Sequence, residues 1–249
     1  MFALEIIMVC LLGMILGSFF ACVGYRIPNK ISISQPNSFC PNCKKNLKWY
    51  MNIPIFSYIL LKGKCAFCNN RIGLINFIVE LFTTISFLIF FLQYGFTINF
   101  FIAIVLISVT SVTIVSDFLY YYVSDRTIII GSIFILFLYL TSTTILNTIY
   151  YISSGICIFF LMYLIKLLGD KKYKRESLGG GDIKIMGLVG LAIGLIPSLL
   201  SLGIASFIGL IYAIVKFKNT KGNIIPFGPF LLVGALIILY LLPIISIYY

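Results

Sequence analysis

The sequence predicts an all-α polytopic membrane protein with about eight transmembrane helices and one small extramembrane module after the first of them. Hydrophobic residues make up 61% of the 249 residues, and charged residues make up 10%. Soluble domains carry roughly 25% charged residues, so this composition is typical of an integral membrane protein. The chain also contains repeated apolar runs that approach the roughly 20 residues a spanning helix needs.

Each predicted span is a mainly apolar run bounded by polar or turn-forming residues. The spans cover residues 3–25, 74–93, 97–116, 127–147, 149–168, 183–197, 199–216 and 228–247. They divide the chain into a first helix at 1–25, a module at 26–73 and a helical core at 74–249. The module is too short to bury a large core unaided.

The positions of lysine and arginine predict how the chain is oriented. Neither residue precedes the first span, and Arg26 and Lys30 follow it. Because positive residues are retained on the cytoplasmic side, the N-terminus is predicted to face outward. The predicted cytoplasmic segments are then 26–73, 117–126, 169–182 and 217–227. No predicted outside loop contains a lysine or arginine, which agrees with this topology.

The net charge of +11 follows from this retention of positive residues on one side and suits contact with anionic membrane lipid. A nucleic-acid partner is therefore not predicted. The first segment lacks a basic start and a small-residue cleavage site, so we expect a spanning helix rather than a cleaved signal peptide.

The module carries Cys40-Pro-Asn-Cys43 and Cys65-Ala-Phe-Cys68. Each short loop presents two sulfurs, and two such loops close a tetrahedral zinc site. Two disulfides or thiol redox chemistry are the alternatives, but a cytoplasmic location is reducing and favours thiolates bound to metal. A zinc ion with four protein ligands is structural rather than catalytic.

The segment between the two cysteine pairs, residues 47–58, is rich in aromatic and apolar side chains. Such a composition is typical of a segment that lies at the membrane interface. We therefore expect it to cover the zinc module and to rest on lipid, and contact with a ligand is the alternative.

Acidic residues are scarce, with seven in the whole chain. Asp182 follows Gly179-Gly180-Gly181 and opens an apolar run, and Asp117 ends another. Asp182 is predicted either to cap the helix that it begins or to take part in chemistry. Two carboxylates at comparable membrane depth, in a chain with no histidine, indicate a paired acid–base device.

The absence of histidine excludes Ser-His-Asp and Cys-His catalysis. The chain also contains no Gly-x-x-x-x-Gly-Lys loop, so nucleotide hydrolysis has no support. Two aspartates within hydrogen-bond reach share one proton, because both cannot ionise together. One carboxylate then activates water while its protonated partner polarises the scissile carbonyl, as in aspartic proteases.

Three other charged residues are candidates for a supporting role. Glu80 lies inside the second span, where an ionisable group serves either function or a structural hydrogen bond. Asp125 either caps the fourth span, pairs with Arg126 or supports the site. Lys184 lies at the predicted inner end of its span.

Several motifs occur in a characteristic order from Gly17 to about Leu231. They are Gly17-Ser18-Phe19 with Tyr25-Arg26, both cysteine pairs, Trp49-Tyr50 with Ile53-Pro54, Val79-Glu80-Leu81, Asp117 with Asp125, Gly179-Gly180-Gly181-Asp182 and Phe227-Gly228-Pro229. With these motifs the chain resembles the type IV prepilin peptidases, which belong to the membrane Gly-x-Gly-Asp aspartyl protease class. One departure is Ala21, since the family usually has asparagine after Gly-Ser-Phe-Leu.

The resemblance implies that Asp117 and Asp182 cut the leader of prepilins or pilin-like precursors after a glycine, at the cytoplasmic face of the inner membrane. We expect support for this pair from Gly179, Gly181, Asp125, Glu80 and Lys184. It also implies N-methylation of the new N-terminus with S-adenosylmethionine, a role associated with the zinc-bearing loop formed by Cys40, Cys43, Cys65 and Cys68.

Two other functions are compatible with the sequence. The first is a leader peptidase without methyl transfer, as in archaeal preflagellin peptidases, and the intact cysteine loop argues against it. The second is a non-catalytic transporter or assembly scaffold, since buried carboxylates also mark ion pathways. A cleavage assay on a leader-bearing peptide separates the enzyme from the scaffold.

Overall fold

The protein is a bundle of helices. The computed structural model describes residues 2–174, 176–216 and 225–245, and these residues form helices, turns and two isolated β-bridges without a β-strand. The helices are α1 (Phe2–Arg26), α2 (Phe56–Leu60), α3 (Leu74–Tyr94), α4 (Ile98–Tyr120), α5 (Asp125–Ser142), α6 (Ile145–Tyr173), α7 (Gly180–Ile193), α8 (Leu195–Lys216) and α9 (Gly228–Ile245).

Each of the eight predicted spans matches one helix, and α2 is a short helix of the module. The turn between the fourth and fifth spans lies at residues 143–144, so α5 ends before its predicted limit at residue 147. Within the described ranges, six helices are long and apolar enough to cross a membrane, and α9 is apolar but shorter over Gly228–Pro243. Helix α7 has 14 residues, a length of about 21 Å. The chain is thus a multi-pass membrane protein. Most of the predicted cytoplasmic segment 217–227 lies outside the described residues.

Short connections reverse the chain between consecutive helices. Residues 95–97, 143–144 and 194 make these reversals at one end of the bundle. The opposite end therefore carries the end of α4, the start of α7, the start of α9 and the cysteine module, as expected for antiparallel neighbours. We call it the basic end, because it also carries Arg26, Lys171 and Lys172.

Helix α4 lies at the centre of the bundle. It packs against α1, α3, α5, α7 and α9. In its apolar stretch 61% of the residues are buried, compared with 22–28% in the other helices long enough to span a membrane. Ile102, Leu106 and Ile107 are fully enclosed on it. A carboxylate near the end of α4 is therefore surrounded by protein on most sides.

Small residues bring α1 close to its neighbours. A Cβ atom added at Gly24 would lie 2.7 Å from the Val112 carbonyl oxygen of α4, and one at Gly13 would lie 2.9 Å from the Thr84 Cα atom of α3. Close backbone approach through small residues is a common way to pack helices in lipid. Helices α1, α3 and α4 consequently form a tight unit beside the cysteine module.

Candidate active site

Asp117 lies in the last turn of α4 and is 6% exposed. The backbone N–H of Gly228, the first residue of α9, interacts with its carboxylate. A Cβ atom at Gly228 would lie 3.1 Å from Oδ2 of Asp117 and 3.0 Å from Cδ1 of Ile185 on α7. Helices α4, α7 and α9 therefore converge on this carboxylate, and a helix N-terminus offers N–H donors to an anion there.

Asp182 is the third residue of α7 and is partly buried. The N-cap of this helix is Gly179, so the alternative that Asp182 is the capping residue is wrong. Its carboxylate reaches back toward the cap, because a Cβ atom at Gly179 would lie 3.1 Å from Oδ2 of Asp182. Helices α4 and α7 are in contact, and the position beside Gly228 that touches Asp117 also touches Ile185, three residues after Asp182. The fold therefore places the two aspartates on neighbouring helices at the basic end.

Gly181 allows the start of α7 to approach the connection between α4 and α5. A Cβ atom at Gly181 would lie 2.6 Å from the Cβ atom of Val123 in that connection, a separation that side chains do not tolerate. The preceding residue, Gly180, has no atom within 4 Å of such a position. Two adjacent glycines thus differ sharply in how much space surrounds them.

This difference predicts the effect of two alanine substitutions. Gly181→Ala is expected to lower peptide cleavage by about tenfold or more, because displacing Val123 or the first turn of α7 moves Asp182 relative to Asp117. Gly180→Ala is the matched control and is expected to stay within about threefold of the unmodified protein. Cleavage rates of the two purified variants provide the measurement, and equal losses in both would contradict this packing argument.

Asp125 and Lys184 form an ion pair between α5 and α7. The Lys184 Nζ atom lies 2.8 Å from Oδ1 and 2.7 Å from Oδ2 of Asp125. Ser124 is the residue that caps α5, since its side chain accepts from the Thr127 N–H, so neither predicted alternative for Asp125, cap or partner of Arg126, is correct. Both members of the pair are about half exposed, and such a pair contributes at most about 1 kcal/mol.

The four cysteines of the module come together as predicted. Their sulfur atoms all lie within 4.8 Å of one another, and the Sγ atoms of Cys40 and Cys68 are 3.9 Å apart. Tetrahedral zinc with bonds of about 2.3 Å places thiolate sulfurs about 3.8 Å from each other, so the spacing fits zinc. All four are free thiols.

Two small hairpins present these thiols. Isolated bridges pair Phe39 with Asn46 and Lys64 with Arg71, one around each Cys-x-x-Cys loop. The Phe67 N–H donates to the Cys65 sulfur at 3.5 Å, and backbone donors, that of Phe67 first, lower the pKa of the Cys65 thiol to about 6. These donors favour the thiolate of Cys65, which is the form that binds metal.

Glu80 does not join the aspartate pair. It is 9% exposed on α3, and its Oε2 atom accepts a hydrogen bond of 2.7 Å from the Ile55 N–H of the module. The sequence left two roles open for Glu80, a function or a structural hydrogen bond, and the structure shows a hydrogen bond. The contact joins the cysteine module to the helical core.

Sequence reasoning missed two neighbours of the aspartates. Gly228 belongs to the motif Phe227-Gly228-Pro229, to which the sequence assigns no contact, and its N–H faces Asp117. Val123 had no predicted role, although it sets the space available to Gly181. The signal for Gly228 was its place in Pro226-Phe227-Gly228-Pro229, where the chain turns into an apolar run. No local signal marks Val123.

Comparison with known proteins accounts for both parts of this arrangement. Residues 11–94 match the Bacterial Peptidase A24 N-terminal domain, and residues 100–214 match the Type IV leader peptidase family. A Vibrio cholerae protein named Prepilin leader peptidase/N-methyltransferase is 32% identical, over 94% of this chain and 96% of its own length. The chain belongs to the type IV leader peptidase family.

Other members of the type IV leader peptidase family cover the chain almost as completely. Proteins of the same printed name from Bacillus subtilis and Neisseria gonorrhoeae are 31% and 30% identical, over 90% and 91% of this chain and 90% and 87% of their own lengths. No solved structure matches the chain. The N-terminal match includes all four clustered cysteines, and the leader peptidase match includes Asp117 and Asp182.

Proposed function

We propose that this protein is a membrane aspartyl endopeptidase that removes the leader of type IV prepilins or pilin-like precursors and then N-methylates the new N-terminal residue. The observation that carries the proposal is that Asp117 and Asp182 lie at the basic end of the bundle, on the neighbouring helices α4 and α7. The names of the relatives agree with both activities.

Peptide cleavage follows from the chemistry of two neighbouring carboxylates that share one proton. The ionised carboxylate takes a proton from water, whose oxygen attacks the carbonyl carbon of the scissile bond. The protonated carboxylate donates to the carbonyl oxygen, and the tetrahedral intermediate collapses as the C–N bond breaks and the amine takes up a proton.

The basic end is proposed to face the cytoplasm, with the N-terminus outside and the protein in the inner membrane. The module and the loop beyond α6 carry lysine and arginine at that end, and the connections at the other end carry none. Positive residues near spans are retained in the cytoplasm. The leader would accordingly be cut on the cytoplasmic side.

The cysteine module is proposed to hold one structural zinc ion through Cys40, Cys43, Cys65 and Cys68. Bound zinc supplies a cross-link between the two hairpins and no chemical step. The module is also proposed to serve methyl transfer. S-adenosylmethionine would supply the methyl group that the free amine of the cleaved product receives.

A leader peptidase without methyl transfer is the second candidate. The assembled four-cysteine cluster and the match of residues 11–94 to the N-terminal domain both favour the bifunctional enzyme. The test is to incubate the purified protein with a leader-bearing precursor peptide and S-adenosylmethionine, and to determine the product N-terminus by mass spectrometry. A trimmed and methylated product supports the proposal, a trimmed but unmethylated product supports the second candidate, and an intact precursor supports a non-catalytic scaffold.

A further inference from the structure

Part of the cysteine module is docked on the side of α3. The Ile55 N–H donates to the Glu80 carboxylate at 2.7 Å, and the Tyr58 ring stacks on the Phe77 ring with centroids 4.9 Å apart. Glu80 and Phe77 lie about one turn apart on α3, so they form one contact strip. The segment that contains Ile55 and Tyr58 is therefore held against the spanning helix at two points.

The backbone at Ile55, whose N–H donates to Glu80, has a strained conformation. Ile55 has φ 63° and ψ −55°, and the Phe56 N–H donates to the Pro54 carbonyl at 2.6 Å. This is a γ-turn of the rare type with positive φ, which β-branched residues seldom adopt. Such strain persists only where surrounding contacts hold it. Here the turn points the Ile55 N–H at a carboxylate that is buried in the bundle.

The docked turn lies close to the depth of the aspartate pair. A hydrogen bond of 2.8 Å between the Thr83 and Ser111 hydroxyls aligns α3 with α4. Counting from that bond toward the basic end, Glu80 lies three residues along α3 and Asp117 lies six residues along α4. At 1.5 Å of rise per residue, the two carboxylates differ in depth by about 5 Å. The module thus enters the bundle near the level at which the new amine is produced.

We propose that Glu80 is a positioning residue for methyl transfer. Its carboxylate oxygen holds the turn at Ile55 and so sets the depth of the cysteine module relative to the cleaved N-terminus. The inference rests on the proposed function, since it requires both cleavage at the aspartates and methylation by the module. Glu80 contributes an acceptor oxygen on a side chain long enough to meet the Ile55 N–H. Its negative charge is not required.

Two substitutions at Glu80 separate the effect of side-chain length from the effect of negative charge. Glu80→Gln keeps an acceptor oxygen at the same distance and removes the charge, whereas Glu80→Asp keeps the charge and shortens the side chain by one methylene. The assay is methyl transfer from labelled S-adenosylmethionine to an already trimmed peptide, catalysed by the full-length, zinc-loaded protein in lipid. Using a trimmed peptide makes the rate independent of leader cleavage.

We expect Glu80→Gln to methylate within about threefold of the unmodified protein and Glu80→Asp to lose about tenfold or more, because small displacements of reacting groups are costly. The loss is expected in kcat, with little change in the KM for S-adenosylmethionine, since donor binding is not altered. Leader cleavage and zinc content are expected to remain unchanged in both variants.

Thr84→Val is the matched control on the next turn of α3, because the Thr84 hydroxyl bonds only a backbone carbonyl of its own helix in the described contacts. Full methylation by Glu80→Asp would overturn the proposal. So would a loss in Glu80→Gln as large as that in Glu80→Asp, or a loss of cleavage and zinc along with methylation. If the unmodified protein neither cleaves nor methylates, the proposed function itself fails, which is a separate result.

Discussion

Asp117→Asn and Asp182→Asn are each expected to reduce leader cleavage by at least about a thousandfold, the scale on which positioned acid–base groups act. Asparagine matches aspartate in size but neither takes a proton from water nor donates one to the carbonyl oxygen. Each variant leaves one carboxylate without the partner with which it shares a proton. Cleavage of a leader-bearing peptide by the purified variants, followed by mass spectrometry, gives the measurement.

Asp170→Asn is the matched control for these two variants. Asp170 lies at the same end of the bundle, is partly exposed and accepts hydrogen bonds from the N–H and hydroxyl of Ser177. An amide oxygen retains that acceptor role, so cleavage is expected to stay within about threefold. Both catalytic-site variants are expected to methylate a trimmed peptide normally. Cleavage at the unmodified rate by either Asp117→Asn or Asp182→Asn would remove the peptidase assignment.

Replacing one clustered cysteine is expected to remove metal and methyl transfer together. Cys65→Ser exchanges a buried thiol whose pKa is lowered to about 6 for a hydroxyl that does not ionise near neutral pH. Zinc requires deprotonated ligands, and its binding energy contributes directly to the folding of small metal modules. We expect bound zinc to fall from one ion per chain to almost none, and methylation of a trimmed peptide to fall by about tenfold or more.

Leader cleavage by Cys65→Ser is expected to persist, because the aspartates lie on α4 and α7 rather than in the module. Cys157→Ser is the matched control, since Cys157 is an exposed thiol of α6 outside the cluster. It is expected to retain zinc and both activities. Unmodified protein that contains no zinc by elemental analysis would contradict the assignment of the four ligands.

The helices could be predicted from the sequence because lipid imposes a simple constraint. A spanning segment has to satisfy its backbone hydrogen bonds internally and present apolar side chains, so a long apolar run already indicates a helix. Helix α3 begins and ends within a residue of its predicted span, 74–93. The cysteine cluster could also be predicted from the sequence. Each half is a local Cys-x-x-Cys motif, and a single metal ion needs the four ligands that the two motifs provide together.

The sequence selects the two aspartates as candidates for a different reason. Carboxylates are costly inside a membrane, so the few that remain are candidates for function. Asp117 and Asp182 stood out because acidic residues are scarce and because glycines precede Asp182. The same reasoning selected Glu80 but did not assign its partner. Local sequence determines that a carboxylate is unusual, and packing determines what it contacts.

The contacts that sequence reasoning could not find join residues far apart in the chain. Gly228 meets Asp117 only because α9 packs against α4, and Ile55 meets Glu80 only because the module folds back onto α3. The capping of α5 was missed for a local reason. Ser124 and Asp125 are adjacent and both are good capping residues, so the sequence does not distinguish them, whereas the start of the helix does.

Helix α7 is about 21 Å long and is therefore shorter than a hydrocarbon layer, which is about 30 Å thick. At its far end the Ala192 carbonyl accepts from the Tyr139 hydroxyl, and the Gly194 carbonyl accepts from the Ser198 hydroxyl. Neighbouring helices rather than two water-facing ends hold α7 in place. We therefore expect a change in bilayer thickness to tilt the longer outer helices more than it changes the position of Asp182 relative to Asp117.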